Sequence, residues 1–269
     1  MAETVRASIG ASRRQDLPAR TARPTGRGPK VQTGTLLTWL ALAALLLLAA
    51  GGAGTASASS RAAAPTQQLA ALLNAHQGFA APDVASRRLG LIQARRPLTG
   101  EQTVLPVLGT ATGREGLEWL HVRLPGRPNG HTGWIERPGT LTEATPWRIV
   151  VDTATRLVSV YDDGRRAETF AAIVGKPSTP TPHGHFFVEE AIQLAPNAVG
   201  APFALALSAR SDALQTFDGG PGQIALHGLD NVGGTLGTAV SHGCIRLADA
   251  TMRWLITRIG PGVPVDIVG

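Results

Sequence analysis

The residues best suited to covalent chemistry lie in one short segment near the end of the chain. The single cysteine, Cys244, stands in residues 239–247, which read AVSHGCIRL, with His242 and Arg246 two positions away on either side. Side chains two residues apart share a face of an extended strand. A free thiol is only a few per cent thiolate at neutral pH. We therefore expect the neighbouring imidazole and guanidinium to lower the pKa of the thiol, which would make Cys244 a nucleophile.

A second histidine, His227, lies 17 residues upstream and is followed by Gly228. It ends an apolar run that is typical of a strand. Cysteine and histidine are the minimal pair of nucleophile and general base for acyl transfer, provided that they meet in the fold. Gly243 lacks a Cβ atom, so the main chain can turn tightly there and aim N–H groups at one point, as an oxyanion hole requires. These residues indicate a cysteine acyltransferase or hydrolase.

Zinc binding is the competing interpretation of the same side chains. His227, His242 and Cys244, or His183 with His185, offer the imidazole and thiolate ligands that zinc prefers. However, the sequence contains no CxxC or HExxH motif and no closely spaced carboxylate ligand. A lone cysteine is also commonly a small core residue. One Cys, two His, an Arg and permissive glycines would make an unusual core, so we favour catalysis, which requires no metal or cofactor here.

The segment SHGCIRL, with a His-Gly pair 17 residues before its cysteine, resembles the signature of the L,D-transpeptidase family with the YkuD-type catalytic domain. Residues 175–186 read GKPSTPTPHGHF and are similar to the family's TPxGxF segment, with His183 where many members carry a small or hydroxyl residue. The resemblance covers roughly residues 147–269. It implies a YkuD-like β-sandwich that acts on peptidoglycan.

The resemblance also implies roles for individual residues. They are Cys244 as nucleophile, His227 as general base and acid, His242 and Gly243 in the oxyanion site with the main chain of Cys244, Arg246 at the substrate cleft, Ser241 as a structural hydrogen-bonding group, and Gly228 as the residue whose carbonyl orients the imidazole. The implied donor and acceptor are peptidoglycan stem peptides, joined into 3→3 cross-links through a cysteine thioester. Carbapenem-type β-lactams would acylate the same thiol. Hydrolysis of the thioester by an L,D-carboxypeptidase and a non-catalytic wall-binding module remain alternatives.

The elements that must position these residues are mainly β. Alternating and apolar runs predict strands through residues 146–269, and Asp162-Asp163-Gly164 is a strong hairpin signal. One helix is predicted near the C-terminal end, capped by Asp249 and ended by Gly260. Its buried stripe would comprise Met252, Leu255, Ile256 and Ile259.

A second β region precedes this domain. Residues 118–135, EWLHVRLPGRPNGHTGWI, resemble the small SH3-like barrels of exported bacterial wall enzymes, and we expect such a barrel over residues 90–140. Residues 59–89 are predicted as a spacer with a short helix, in which Thr66 is the cap and Leu69, Leu72 and Leu73 share one face. Residues 139–146 are predicted as a linker.

Composition and charge restrict the class of protein. At 269 residues, 43% hydrophobic and 16% charged, the chain can bury a sizeable core. Residues 1–34 carry seven basic and two acidic side chains, so +5 of the net charge of +6 belongs to this lead. The rest is nearly neutral and has no footprint for nucleic acid.

An uncharged, apolar stretch follows this basic lead. Residues 35–58 are predicted as a signal peptide, or as a membrane anchor through residues 35–54 if uncleaved. Either form places the enzyme outside the cytoplasm.

Overall fold

A computed structural model describes residues 66–217 and 219–269 of the chain, which belong to one compact unit. The basic lead and the predicted signal or anchor segment, residues 1–34 and 35–58, lie outside these residues. Across the part of the chain that the structure describes, no helix is both long and apolar enough to cross a membrane.

The first part of the described chain forms a seven-stranded sheet and a short 3₁₀ helix, Arg114–Gly116. Its strands are β1 Gln67–Leu72, β2 His76–Phe79, β3 Arg88–Ile92, β4 Val104–Thr112, β5 Glu118–Arg123, β6 Thr132–Glu136 and β7 Thr140–Thr145. The hydrogen-bonded order is β3-β2-β6-β5-β4-β1-β7. The SH3-like assignment for residues 90–140 stays a prediction, but the sheet in which those residues lie extends from residue 67 to residue 145.

The predicted short helix in the spacer 59–89 is wrong, because its residues form strand β1. Leu72 packs into one hydrophobic cluster of the sheet, whereas Leu69 packs with Val104 in another. A strand buried on both faces has a continuous apolar run, and periodicity cannot distinguish such a run from a buried helix. The predicted linker 139–146 is likewise wrong, since β7 occupies it and pairs with β1.

The second part forms a larger mixed sheet, a two-stranded sheet and one α-helix. Its elements are β8 Trp147–Asp152, β9 Leu157–Asp162, β10 Arg165–Ala171, β11 Val174–Gly175, β12 Gly184–Gln193, β13 Phe203–Arg210, β14 Gln223–His227, β15 Ala239–Ser241, β16 Ile245–Arg246, α1 Asp249–Ile256 and β17 Pro264–Val268. This confirms a mainly β domain with one helix. At the predicted hairpin, Asp163 and Gly164 both have positive φ, as a two-residue turn of this kind requires.

Eight of these strands are hydrogen-bonded in one continuous order, β10-β9-β8-β17-β12-β13-β14-β16. Strand β12 joins the two halves, because it pairs with β17 at its start and with β13 further along. Both halves and the helix contribute to a single hydrophobic core. The predicted sandwich is therefore built on one continuous sheet rather than on two separate ones.

Helix α1 begins as predicted but is not capped as predicted. Its N-cap is Ala248, and Asp249 is the first helical residue. The Asp249 carboxylate instead accepts a 2.7 Å hydrogen bond from the N–H of Leu229. The helix ends at Ile256, before the predicted stop at Gly260. Asp249 thus ties the helix to the chain that leaves β14.

Candidate active site

Cys244 and His227 lie on the same face of the large sheet. Strands β14 and β16 are parallel, with His227 opposite Arg246 and Leu226 opposite Ile245. Cys244 directly precedes β16, so it is one strand away from His227 and two residues along, distances of about 4.8 and 6.6 Å. Leu226 and Ile245 point into the core, whereas His227, Cys244 and Arg246 are half-buried on the opposite face. The pairing of β14 with β16 therefore places His227 on the face that carries Arg246 and Cys244.

The imidazole of His227 is held by main chain on two sides. Its Nδ1 lies 2.8 Å from the carbonyl oxygen of Gly228. A carbonyl only accepts, so Nδ1 carries the proton and Nε2 of the neutral ring is left as a base. A Cβ atom on Gly200 would lie 2.4 Å from Nδ1, and one on Gly228 would lie 2.0 Å from the carbonyl oxygen of Ala201. Both glycines are required by close packing, and the predicted orienting role of Gly228 matches this geometry.

The loop that presents Cys244 rests on residues 175–182, the block similar to TPxGxF. The hydroxyl of Thr181 donates to the carbonyl of Gly243 at 2.8 Å. The hydroxyl of Thr179 and the main-chain N–H of Lys176 both donate to the carbonyl of Ser241, at 3.2 and 3.0 Å. Both threonines are buried. This block therefore supports the nucleophile loop.

Ser241 is fully buried, and its hydroxyl binds the main chain of the two residues that form the bend, Gly243 and Cys244. Its hydroxyl donates to the carbonyl of Cys244 at 2.6 Å and accepts from the N–H of Gly243 at 3.1 Å. This matches the structural role predicted for Ser241. It also corrects the role predicted for Gly243, because an N–H that already binds Ser241 is not free to bind an oxyanion. Gly243 instead supplies the bend, with φ of +120°.

The bend at Gly243 leaves His242 and Cys244 on the same side of the loop. Cys244 and His242 line the same narrow pocket, together with Gln223 and Ile224 and with residues of the preceding loop. The Cys244 sulfur lies 4.0 Å from the carbonyl oxygen of Gln223. The thiol is half-buried and not sealed in the core.

His242 is exposed at the rim of this pocket. Its ring stacks on Phe217 with centroids 5.9 Å apart and planes at 27°. The ammonium of Lys176 lies 3.3 Å from its Nε2. His242 thus forms part of the pocket wall.

The pKa values of Cys244 and His227 both shift in the direction that favours the uncharged side chain. Burial raises the pKa of the Cys244 thiol, and this outweighs the hydrogen bond from the Ala225 main chain and the charge of Arg246. Burial also lowers the pKa of His227, even though its hydrogen bond to Gly228 raises it. Arg246 does lower the pKa of the thiol, but the expectation that this pKa falls overall is wrong, because desolvation dominates. The resting pair is a thiol and a neutral imidazole.

Arg246 connects the two reacting groups electrostatically. Its charge lowers the pKa values of both Cys244 and His227. One guanidinium nitrogen donates to the carbonyl of Gly233 at 3.3 Å, while the buried Nε has no hydrogen-bond partner in the described part of the chain. One positive charge therefore acts on both side chains of the pair.

His183 and His185, the second pair of candidate zinc ligands, have other partners. The Nε2 atom of His183 contacts the hydroxyl of Thr153, and Nδ1 of His185 contacts the carboxylate of Asp266. Among residues 66–217 and 219–269, no three His, Cys, Asp or Glu side chains are arranged to hold a metal ion.

Several residues of the site were not identified from the sequence. Thr179 and Thr181 lie in a block that the resemblance had marked, so their hydroxyls were a usable signal. Gly200 and Phe217 carried no local signal, because their contacts with His227 and His242 arise only when distant loops pack together.

Residues 146–267 match the family model described as YkuD, the L,D-transpeptidase catalytic domain. A Bacillus licheniformis protein assigned as the L,D-transpeptidase YkuD is 28% identical over 190 residues, which are 70% of this chain and 90% of that protein. L,D-transpeptidase 1 of Mycobacterium tuberculosis is 28% identical over 132 residues, 45% of this chain, and the match spans about half (49%) of that protein. The solved L,D-transpeptidase 3 of the same species, in complex with a faropenem-derived adduct, is 16% identical with a TM-score of 0.38, covering 62% of this chain and 91% of that one.

Residues 146–267 therefore form an L,D-transpeptidase catalytic domain of the YkuD type. The protein is an enzyme of the L,D-transpeptidase class.

Proposed function

We propose that the protein cross-links peptidoglycan by acyl transfer through a thioester on Cys244. The observation that carries the proposal is the shared face of Cys244, His227 and Arg246, with the imidazole oriented by the Gly228 carbonyl. This arrangement supplies a nucleophile, a base and a positive charge beside one half-buried sulfur. The substrate comes from the resemblance of SHGCIRL and residues 175–186 to the family.

In the first half-reaction, Nε2 of His227 accepts the proton of the Cys244 thiol as the sulfur attacks the carbonyl of the third residue of a donor stem. The bond to the terminal D-Ala breaks, and its amine leaves with the proton that His227 returns. A thioester remains on the sulfur. Because the resting thiol is neutral, this proton transfer accompanies attack rather than preceding it.

In the second half-reaction, the side-chain amine of the third residue of a neighbouring stem attacks the thioester. His227 accepts a proton from the amine and returns it to the sulfur, which regenerates the thiol. The product is a 3→3 cross-link. Water in place of the amine would give the L,D-carboxypeptidase reaction.

The oxyanion of each half-reaction needs a donor other than the N–H of Gly243, which binds Ser241. We assign this role to the main-chain N–H of Cys244, which the bend at Gly243 presents, with Arg246 stabilising the charge. His242 and Phe217 would form the wall against which the stem peptide lies. We further propose that the reaction takes place outside the cytoplasm, from the basic lead and apolar run of residues 1–58.

Intact-protein mass spectrometry with a donor tetrapeptide stem tests the proposal. Wild type should gain the mass of the stem minus D-Ala, and an added acceptor stem should release the adduct as a dimer. Cys244→Ala should gain nothing. His227→Ala should be acylated at least about 100-fold more slowly, whereas His121→Ala, at a histidine on β5 whose ring contacts Thr132, should match wild type. Tripeptide without dimer would establish hydrolysis, and no adduct on wild type would overturn the function.

A carbapenem provides a second probe of the same thiol. Opening of the β-lactam ring by sulfur should add the whole mass of the inhibitor to wild type and none to Cys244→Ala. An adduct that persists on Cys244→Ala would show that another residue is the nucleophile.

A further inference from the structure

We propose that Arg127 and Asn129 are positioning residues for acyl transfer: from the loop between β5 and β6 of the seven-stranded sheet, they hold the loop that walls the Cys244 pocket. The sheet would then be a working part of the active site and not only a spacer or wall-binding module. This inference rests on the proposed function and deepens it.

Arg127 binds both limbs of the loop between β13 and β14. Its Nη2 donates to the carbonyls of Ser211 and Leu214, at 2.7 and 3.3 Å, and its Nη1 donates to the carbonyl of Pro221 at 2.9 Å. The limbs are joined at their base by the N–H of Ser211, which donates to the carbonyl of Gly222 at 2.7 Å. One planar guanidinium thus spans three carbonyls, which a single ammonium group reproduces poorly.

Asn129 fixes the point at which the loop leaves β13. Its side-chain oxygen accepts from the N–H of Arg210 at 2.8 Å, and its Nδ2 donates to the carbonyl of Arg210 at 2.7 Å. Nδ2 also lies 3.1 Å from the carboxylate of Asp212. The amide therefore pairs with the strand end in both directions, as a neighbouring strand would.

The loop has little packing of its own to hold it in place. Of the side chains at residues 212–217, only Leu214 is as much as half-buried, and the others are exposed. Such segments open at low cost in free energy unless something ties them down. The polar contacts of Arg127 and Asn129 provide that tie.

The held loop contributes directly to the site. Ser211, Leu214, Phe217 and Gly222 line the pocket that contains Cys244 and His242. The Phe217 ring stacks on the His242 imidazole. A Cβ atom on Gly222 would lie 2.1 Å from the carbonyl oxygen of Leu214, so the limbs touch where Arg127 bridges them. Displacement of the loop would therefore widen the pocket beside the thiol.

The test compares Arg127→Ala with Arg123→Ala in the full-length chain. Arg123 belongs to the same sheet and also approaches a carbonyl of the catalytic domain, that of His185 at 3.5 Å, but it does not contact the loop. Donor-stem acylation of Cys244 in Arg127→Ala should slow by about tenfold or more, mainly through weaker donor binding (a higher KM). Alkylation of Cys244 by iodoacetamide, which needs no pocket wall, should stay within about threefold of wild type. Arg123→Ala should match wild type in both reactions.

Hydrogen exchange supplies a readout that does not depend on the substrate. Amides of the loop limbs, including Ser211 and Leu214, should exchange faster in Arg127→Ala than in Arg123→Ala. Arg127→Lys should restore only part of the acylation rate. If Arg127→Ala does not fold, Asn129→Asp gives the same comparison, because it keeps the shape of the side chain and loses the donor.

The outcomes separate this inference from the proposed function. Normal acylation and unchanged loop exchange in a folded Arg127→Ala or Asn129→Asp protein would overturn the positioning role alone. Equal losses in acylation and alkylation would also overturn it, since they indicate damage to the nucleophile and not to the wall. Failure of wild type to accept any donor stem, with loop exchange still faster in Arg127→Ala, would overturn the proposed function and leave the tie between sheet and loop established.

Discussion

The hydroxyl of Thr181 donates a 2.8 Å hydrogen bond to the carbonyl of Gly243, 62 residues further along the chain. The same hydroxyl accepts from the N–H of Gly175 at 2.9 Å. Thr181 is buried, so this one oxygen satisfies a main-chain acceptor that is buried and a main-chain donor that is half-buried. The nucleophile loop is therefore fixed from outside its own segment.

Replacing Thr181 with valine should loosen the nucleophile loop. The substitution keeps the shape of the side chain but leaves the buried carbonyl of Gly243 and the half-buried N–H of Gly175 without this partner, which costs about 1–3 kcal/mol in the free energy of unfolding. Acylation by a carbapenem should slow as the loop loses its geometry. Urea unfolding and intact-protein mass spectrometry measure the two effects. Thr142→Val, at an exposed position on β7, is the control, and equal behaviour of the two variants would contradict the role of Thr181.

The shared face of Cys244 and Arg246 could be predicted from the sequence because strand alternation is a local property, whereas the position of His227 beside them depends on the pairing of β14 with β16. The resemblance likewise marked residues 175–186 without showing what they hold. By contrast, the contacts of Gly200 with His227 and of Arg127 with the loop join segments 27 to 94 residues apart in sequence. Only the packed fold brings such segments together.

Two errors have the same physical origin. Strand β1 was predicted as a helix because an apolar run does not reveal whether one or both of its faces are covered. The pKa of Cys244 was predicted to fall because its charged neighbours are visible in the sequence, whereas the burial that raises it is not. In both cases the deciding quantity is tertiary burial.

Gly200→Ala should disable the general base. A Cβ atom there would lie 2.4 Å from Nδ1 of His227 and would push the imidazole from the Gly228 carbonyl. Acylation should fall by about tenfold or more, consistent with a misplaced catalytic base. Gly237→Ala is a matched control, because its φ of +83° is close to the +84° of Gly200 and no atom lies within 4 Å of its added Cβ. Both variants share the cost of positive φ, so an equal loss of activity would show that strain alone is responsible.

The pH dependence of alkylation should reveal a neutral thiol. The raised pKa of Cys244 keeps the sulfur protonated at neutral pH, so its reaction with iodoacetamide should accelerate steadily up to and beyond pH 8.5, about the pKa of a free thiol. A cysteine held as a thiolate–imidazolium pair would instead react at a nearly constant rate from about pH 6. Because the chain has a single cysteine, the alkylation that mass spectrometry finds in wild type but not in Cys244→Ala reports this site alone.

The pH dependence of the unfolding free energy should also reveal the raised pKa of Cys244. A thiol whose folded-state pKa is raised contributes stability below the unfolded pKa of about 8.5, and this contribution is lost as the pH rises through the folded-state pKa. The unfolding free energy of wild type should therefore decrease more steeply above pH 8.5 than that of Cys244→Ala. Parallel curves for the two proteins would contradict the raised pKa.

Glu189→Ala should be among the most destabilising single changes in the protein. Its carboxylate is fully buried and accepts hydrogen bonds from Arg96, in the loop between β3 and β4, from Arg210 at 3.1 Å and from Gln223 at 3.1 Å. Removing the carboxylate takes from Arg210 its buried acidic partner and leaves Arg96 with Glu190 alone, at a cost of about 3–5 kcal/mol. Glu168→Ala, at an exposed position on β10, controls for the loss of one negative charge.

Because Gln223 also places its carbonyl beside the Cys244 sulfur, carbapenem acylation should slow in Glu189→Ala even at temperatures where the variant is fully folded. A folded variant with normal acylation would show that this network supports stability alone.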